Sequence, residues 1–209
     1  LIHVESWPYR EKLRHEKISL GYYFSGHPFD TYAAALKRFI RTRLDRLNSS
    51  REPQLLAGII HSIRVQMTRR GRMAIINLDD GKARVELVVF SELFDANRSW
   101  LKEDQLLIVE AKVSNRGHNG EEGDELRITA EQLYDFAGIR SRFAKQIRIH
   151  CDPFTLSQVS NLKTLLVPFS NQTPKPLGNY CPITLAYHNE FASADLELGN
   201  DWQVNLHDD

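Results

Sequence analysis

Covalent and metal bracing have little to work with in this sequence. Cys151 and Cys181 are the two cysteines in 209 residues, too few to staple a domain of this size. Neither belongs to a Cys-x-x-Cys pair. His150 and His188 do not complete a zinc set with them, because adjacent residues such as His150 and Cys151 point to opposite faces of a strand. The thiols read as structural, no metal or cofactor is expected in this chain, and a reducing cytoplasm is the expected compartment. No apolar run approaches the roughly 20 residues needed to cross a bilayer, and no basic-then-apolar leader opens the chain. No membrane contact is expected. A nucleophile–base pair is also missing. His27 stands in a turn with neither a nucleophile nor a second ligand beside it, so it reads as structural, and no catalytic residue is assigned. Net charge is zero, with 27 Lys+Arg against 27 Asp+Glu. The first residue is Leu1, and a piece of a longer protein is the expectation.

The composition itself is ordinary for a globular chain of one to two domains, 42% hydrophobic and 26% charged. The charge is unevenly spread. Residues 1–54 hold ten basic side chains against six acidic, whereas residues 151–209 hold two against seven. Within the near-neutral middle, residues 64–84 gather Arg64, Arg69, Arg70, Arg72, Lys82 and Arg84 against Asp79 and Asp80. A phosphate backbone is drawn to that patch and repelled by the last third of the chain.

The patch sits on three strand-like runs between Leu55 and Phe90. Ile59, Ile63, Val65 and Met67 alternate with Ser62, Arg64 and Gln66; Ala74, Ile76 and Leu78 form the second apolar face; Ala83, Val85, Leu87 and Val89 form the third. Period-two alternation predicts strands with one buried face. Asp80-Gly81 supplies the positive φ of a tight hairpin. Thr68–Arg72 puts three arginines and a glycine at a strand tip. Two further strands follow: Asp104–Ser114, with Leu107, Val109, Ala111 and Val113 inward, and Glu125–Tyr134, with Leu126, Ile128 and Ala130 inward. The loop between them, Asn115–Asp124, lacks EF-hand ligand spacing and reads as a hairpin loop. Between the third and fourth strands, Ser91 caps a short helix carrying Leu93 and Phe94. Five strands with a helix between the third and fourth predict an oligonucleotide/oligosaccharide-binding (OB) barrel.

On either side the pattern changes. Residues 8–47 read as helical, with Leu13, Ile18, Leu20 and Phe24 as buried positions, a break at Ser25–Pro28, and a second helix from Asp30 burying Tyr32, Ala33, Leu36, Phe39 and Ile40. Arg38, Arg41, Arg43 and Arg46 read as its solvated face, with an approach to DNA as the sharper alternative. After Tyr134 come a short helix, a strand at Ile147–Cys151, an amphipathic helix with Leu156, Val159, Leu162, Leu165 and Leu166, and three runs at Pro182–His188, Ser193–Gly199 and Trp202–Leu206. The fold class is α+β and multidomain: a helical segment over 1–52, a five-stranded barrel over 53–135, and a small α+β domain over 136–209.

Several of these motifs resemble a known family. Glu16–Pro28, ending in Ser25-Gly26-His27-Pro28, is similar to the segment following the catalytic part of the bacterial DNA polymerase III alpha subunit. Gly58-Ile59-Ile60, Thr68-Arg69-Arg70-Gly71, Leu78-Asp79-Asp80 and Val85–Phe90 resemble that family's barrel, and Pro182–Leu185 with Trp202-Gln203-Val204 its region for the clamp-loader tau subunit. The resemblance implies a parent DNA-directed DNA polymerase using aspartates and Mg2+ upstream of this piece, with this chain non-catalytic by itself. Gln132–Phe136 does not make the family's clamp-binding peptide, because Asp135 stands where an apolar residue is wanted.

The resulting expectation is a replisome module. The barrel binds single-stranded DNA through Arg64, Arg69, Arg70, Arg72, Arg84 and Arg116, and the C-terminal domain meets tau among other replisome subunits. The outward positions of strands two and three (Met73, Ile75, Asn77, Arg84, Glu86, Val88, Phe90) offer only Phe90 for stacking, so binding should be weak, salt-sensitive and indifferent to sequence. Two alternatives stay open: a scaffold whose barrel touches only other subunits, and a tRNA-binding barrel of a synthetase.

Overall fold

The structure, a computed structural model, describes residues 7–69, 71–115, 126–152, 159–169 and 180–205. The chain divides into two compact units, residues 1–135 and 136–209.

The first unit is built on a closed five-stranded barrel. Its strands are β1 (Gln54–Thr68), β2 (Gly71–Asp79), β3 (Arg84–Val89), β4 (Leu106–Asn115) and β5 (Leu126–Tyr134), in the order β1-β2-β3-β5-β4. All neighbours are antiparallel except β3 and β5, which run parallel with Leu87 opposite Ile128. Closure removes the free edges that an open sheet of this size would expose. The inward alternation holds through much of the barrel. Ala74, Ile76, Leu78, Leu87, Val89, Leu107, Val109, Ala111 and Val113 are fully buried, and Ile128 and Ala130 nearly so. Each fully buried Leu, Ile or Val contributes about 1.5–3 kcal/mol relative to exposure, so this cluster dominates the unit's stability. The helix α3 (Ser91–Asn97) delivers Phe94 to the cluster, and Leu101 follows it.

Three expectations fail in the strands. A bulge lies between Ile60 and Ser62, leaving His61 without a register partner. One extra residue reverses the side-chain phase, so Leu56 and Ile60 face the core before the bulge and Ile63 after it. Ile59 is buried on the opposite face, opposite Asp79. Val65 and Met67 share the phase of Ile63 but are 51% and 79% exposed, because this end of β1 pairs with β2 alone while β4 reaches only as far as Ile59. Leu126, at the start of β5, is also exposed.

The N-terminal segment belongs to the same unit as the barrel. It comprises α1 (Tyr9–Leu20), α2 (Asp30–Leu36) and a 3-10 turn at Leu44–Arg46. Leu13, Phe29 and Leu36 are buried, whereas Ile18, Leu20 and Phe24 are exposed, the last at 76%. Tyr32, Ala33, Phe39 and Ile40 are half-buried. α2 stops at Leu36, so Arg38, Arg41, Arg43 and Arg46 do not form a helix face. Leu44 and Leu47 instead enter the barrel cluster and carry Arg43 with them. On the outer side of β1 and β4, Ala57, Ile59, Leu106 and Ile108 are also buried.

The second unit starts with α4 (Phe136–Phe143). A three-stranded sheet orders β6 (Ile147–Cys151), β8 (Ile183–His188) and β9 (Ser193–Glu197), with β6 parallel and β9 antiparallel to β8. A helix, α5 (Val159–Leu166), lies between β6 and β8 in sequence. Two short strands, β7 (Tyr180–Cys181) and β10 (Val204–Asn205), pair separately. Ile139, Cys151, Cys181, Ile183, Thr184, Ala186 and Val204 are buried. Both thiols are free, and burial pushes the Cys181 thiol up from its ordinary pKa.

Candidate nucleic-acid interface

The outer face of β1–β3 is a small grid set by register. Ser62, Asn77 and Glu86 form one row, and Arg64, Ile75 and Val88 the next toward the hairpin tip. Asn77 Nδ2 donates to Ser62 Oγ at 2.9 Å, and Arg64 Nη2 donates to Glu86 Oε1 at 2.8 Å. At the far end of the face, Arg84 sets both Nε and Nη2 on Asp79 Oδ2, at 3.1 and 2.8 Å. The tip lies at the other end, where Thr68 faces Gly71 and donates from its hydroxyl to the Gly71 carbonyl at 2.7 Å. Because β3 and β5 run parallel, β5 begins at the end of the face away from this tip.

Of the four predicted cations among the described residues, three are already paired. Arg72 joins the set, with Nη2 2.8 Å from Asp95 Oδ1 on α3. The Arg64–Glu86 and Arg72–Asp95 partners are about half exposed, and such pairs contribute about 0–1 kcal/mol. A phosphate can take either guanidinium at small cost. Arg69 stands exposed at the tip, with no carboxylate partner among the described residues. Arg70 and Arg116, with the loop at 116–125, lie outside the described residues. Phe90 is 49% exposed and directly precedes α3 as its cap residue. Among the described residues, no group of three or more His, Cys, Asp or Glu side chains is arranged to hold a metal, and no helix is long and apolar enough to cross a membrane.

What the sequence reading missed is the seam between this face and the N-terminal segment. Asp80, 2% exposed, closes the β2–β3 turn. Its Oδ1 accepts from the Lys82 and Ala83 amides, both at 2.9 Å, and its Oδ2 accepts from Arg43 Nε at 3.2 Å and the Leu44 amide at 3.3 Å. Gly81 takes φ +77°, as a tight turn here requires. Burial works to raise the Asp80 pKa, yet the turn amides and Arg43 outweigh it and hold the carboxyl below its ordinary value. Asp79 behaves likewise: burial opposes ionisation, but Arg84, the Gly81 amide and the nearby His27 pull it below the ordinary value.

His27 docks on the same turn, with Nε2 3.5 Å from Asp79 Oδ1. Its Nδ1 accepts from the Phe29 amide at 3.2 Å, and Nε2 faces Asp79. Tyr23 meets the His27 ring edge-on, 6.0 Å between centroids. The Tyr23 hydroxyl and the Lys17 ammonium both donate to Asp104 Oδ1. Burial and this carboxylate push the Tyr23 pKa well above the usual phenol range. Glu16 holds the start of the Ser25–Pro28 turn through Ser25 Oγ and the Phe24 and Ser25 amides, and these bonds lower its pKa. The Ser-Gly-His-Pro motif is thus a clasp on the barrel's β2–β3 turn. A histidine and a pair of adjacent aspartates are visible in the sequence, but their contact across about 50 residues of chain is not.

In the second unit, Arg148 on β6 forks both oxygens of Asp195 on β9 at 2.7 and 2.8 Å. β9 is exposed along its whole length, Leu196 at 60%.

Residues 55–136 match the OB-fold nucleic acid binding domain family, which coincides with the barrel. The chain is 35% identical over 205 residues to the DNA polymerase III subunit alpha of Neisseria meningitidis serogroup B, covering 98% of this chain and 17% of that protein. It is 34% identical over 209 residues to the same subunit from Pseudomonas aeruginosa, covering 99% and 17%. A single-stranded DNA binding protein from Thermus aquaticus overlaps 42% of this chain and 50% of its own at 16% identity and a TM-score of 0.32, too low to carry weight. The chain spans about a sixth of the length of these relatives. Over nearly its whole length the chain is similar to a portion of the bacterial DNA polymerase III subunit alpha, and its barrel matches the OB-fold nucleic acid binding family.

Proposed function

We propose that this chain is a non-catalytic part of a bacterial replicative DNA polymerase, whose barrel holds single-stranded template weakly and without sequence preference. Residues 136–209 contact the clamp-loader tau subunit and, through it, the replisome in the cytoplasm. Polymerisation and its Mg2+ belong to portions of the alpha subunit beyond this chain.

The observation that carries the reading is the tip-to-turn arrangement of the outer face. A basic hairpin tip with exposed Arg69 adjoins guanidiniums held only by surface carboxylates, on a barrel matching a nucleic acid binding family. Guanidiniums bind phosphate without reading bases. The shortage of exposed aromatics on this face removes the stacking that makes general single-strand binders tight. The observation favouring a protein scaffold instead is the pair Val65 and Met67, apolar and exposed on the same hairpin.

A salt series with fluorescent single- and double-stranded oligonucleotides separates the two. For single strands the slope of log K against log salt is about −0.7 per phosphate contact. Replacing Arg69, Arg70 and Arg72 by Ala should weaken binding equally for all sequences and flatten the slope by about 2 if all three contact phosphate. An unchanged affinity would favour the scaffold. Tight binding surviving high salt would overturn the weak, electrostatic reading.

A further inference from the structure

Beside the barrel face, α1 and the turn after it enclose a groove that the OB-fold does not account for. Its larger part, about 840 Å³, is lined by Arg10, Arg14, Lys17, Tyr23, Asp104 and Gln105 among others. A smaller part, about 230 Å³, shares Lys17, Tyr23 and Asp104 and continues past Tyr22 to His61, Asp79 and Arg84. Arg84 is the last cation of the outer face described above. The two recesses therefore make one track, leading from the barrel face onto α1.

The track has what the face lacks. Arg10, Arg14 and Lys17 stand at i, i+4 and i+7, so they share one side of the helix. Arg10 and Arg14 are exposed and have no carboxylate partner among the described residues; Glu11, between them in sequence, lies 3.8 Å from His15 instead. Lys17 is held by Asp104, as Arg84 is by Asp79. Tyr22, 58% exposed, offers an aromatic surface in the narrow part. The floor is fixed: the Asp104 amide donates to Ile60 O at 2.8 Å and the Ile60 amide to Gln105 O at 2.9 Å, clamping the turn to the β1 bulge. Free guanidiniums in the wide part and an exposed aromatic in the narrow part, joined over a rigid floor, are the components of a single-strand track.

We propose that this groove is a second binding segment for single-stranded DNA, continuing the strand from the barrel face, with phosphates on Arg10 and Arg14 and a base on Tyr22. It rests on the single-strand reading above.

The test titrates the full chain with fluorescein-labelled oligothymidylates of about 6 and about 20 nucleotides, the short one covering the barrel face alone. Tyr22→Ala, and Arg10→Ala combined with Arg14→Ala, should each weaken the long probe by about fivefold or more and leave the short one unchanged. Arg69→Ala should weaken both. If only Arg69→Ala acts, the groove proposal fails while the barrel reading stands. If the unsubstituted chain binds neither probe, both fail. A crosslinking readout checks placement without a variant: a bromodeoxyuridine-substituted 20-mer should photo-crosslink to Tyr22. A crosslink map confined to β1–β3 would overturn the groove.

Discussion

Asp80→Asn tests the account of the clasp most directly, because it removes charge with almost no change in shape. The carboxylate accepts four hydrogen bonds, two on each oxygen, at 2.9 to 3.3 Å. An amide keeps one acceptor oxygen. If that oxygen stays on the Lys82 and Ala83 amides, the new NH2 meets Arg43 Nε–H and the Leu44 amide donor to donor. Losing a bond from a charged donor costs about 1.5–3 kcal/mol, and stranding a buried amide about 1–3 kcal/mol. The Arg43 side chain is 46% exposed, so water compensates much of the first loss. The sum is a destabilisation of about 2–3 kcal/mol. Urea unfolding of the full chain, followed by hydrogen exchange on peptides from β1–β5, reads the barrel separately from the second unit. Arg43→Ala should cost less, about 1 kcal/mol, and should add little once Asp80 is Asn, since the two share one interaction. A destabilisation below about 0.5 kcal/mol for Asp80→Asn would refute the claim that this carboxylate ties the N-terminal segment to the barrel.

Two further outcomes follow from the same geometry. Asp79 and Asp80 have depressed folded pKa values, so their stabilisation is present above the ordinary carboxylate range near pH 4 and is lost as pH falls through the folded values. Acid unfolding monitored by circular dichroism should therefore steepen below about pH 4, and Asp80→Asn should flatten that slope. Gly58→Ala should destabilise the barrel by about 1–3 kcal/mol in the urea assay, because its Cβ would stand 2.7 Å from Leu78 Cγ and 2.9 Å from the Asp79 carbonyl, both held inside the sheet. Gly199→Ala, with nothing within 4 Å, serves as the neutral control.

The barrel was legible because alternation is local. On the inner faces of β2 and β4 burial repeats every second residue, and Ala74-Ile76-Leu78 and Leu107-Val109-Ala111-Val113 state it directly. β1 misled because a bulge leaves no compositional mark: His61 is an ordinary polar residue in a run that otherwise alternates. The exposed Val65 and Met67 show the reverse problem, since pattern cannot tell where a second layer ends. α1 was misread for a related reason. Its apolar residues Ile18 and Leu20 look like core positions, but the helix spends its buried contact on Leu13 alone. The arginine tip was visible as a run, whereas the partners that neutralise Arg64, Arg72 and Arg84 come from three different elements and appear only once the chain is folded. Arg43 gave no signal at all, being one arginine among four.

The bulge at His61 acts as a phase shifter within one continuous strand. Upstream of it, β1 is a partition wall, with buried residues on both of its surfaces. Downstream, the same backbone becomes a projecting arm that shows Arg64 and Gln66 on one surface and Val65 and Met67 on the other. A strand in strict alternation would carry the wall's orientation into the arm, and Arg64 would then point toward the interior. With one inserted residue the chain passes from load-carrying wall to solvent-reaching arm without breaking its ladder to β2, so the arm's aim is set by the rigid barrel rather than by the loop at its end.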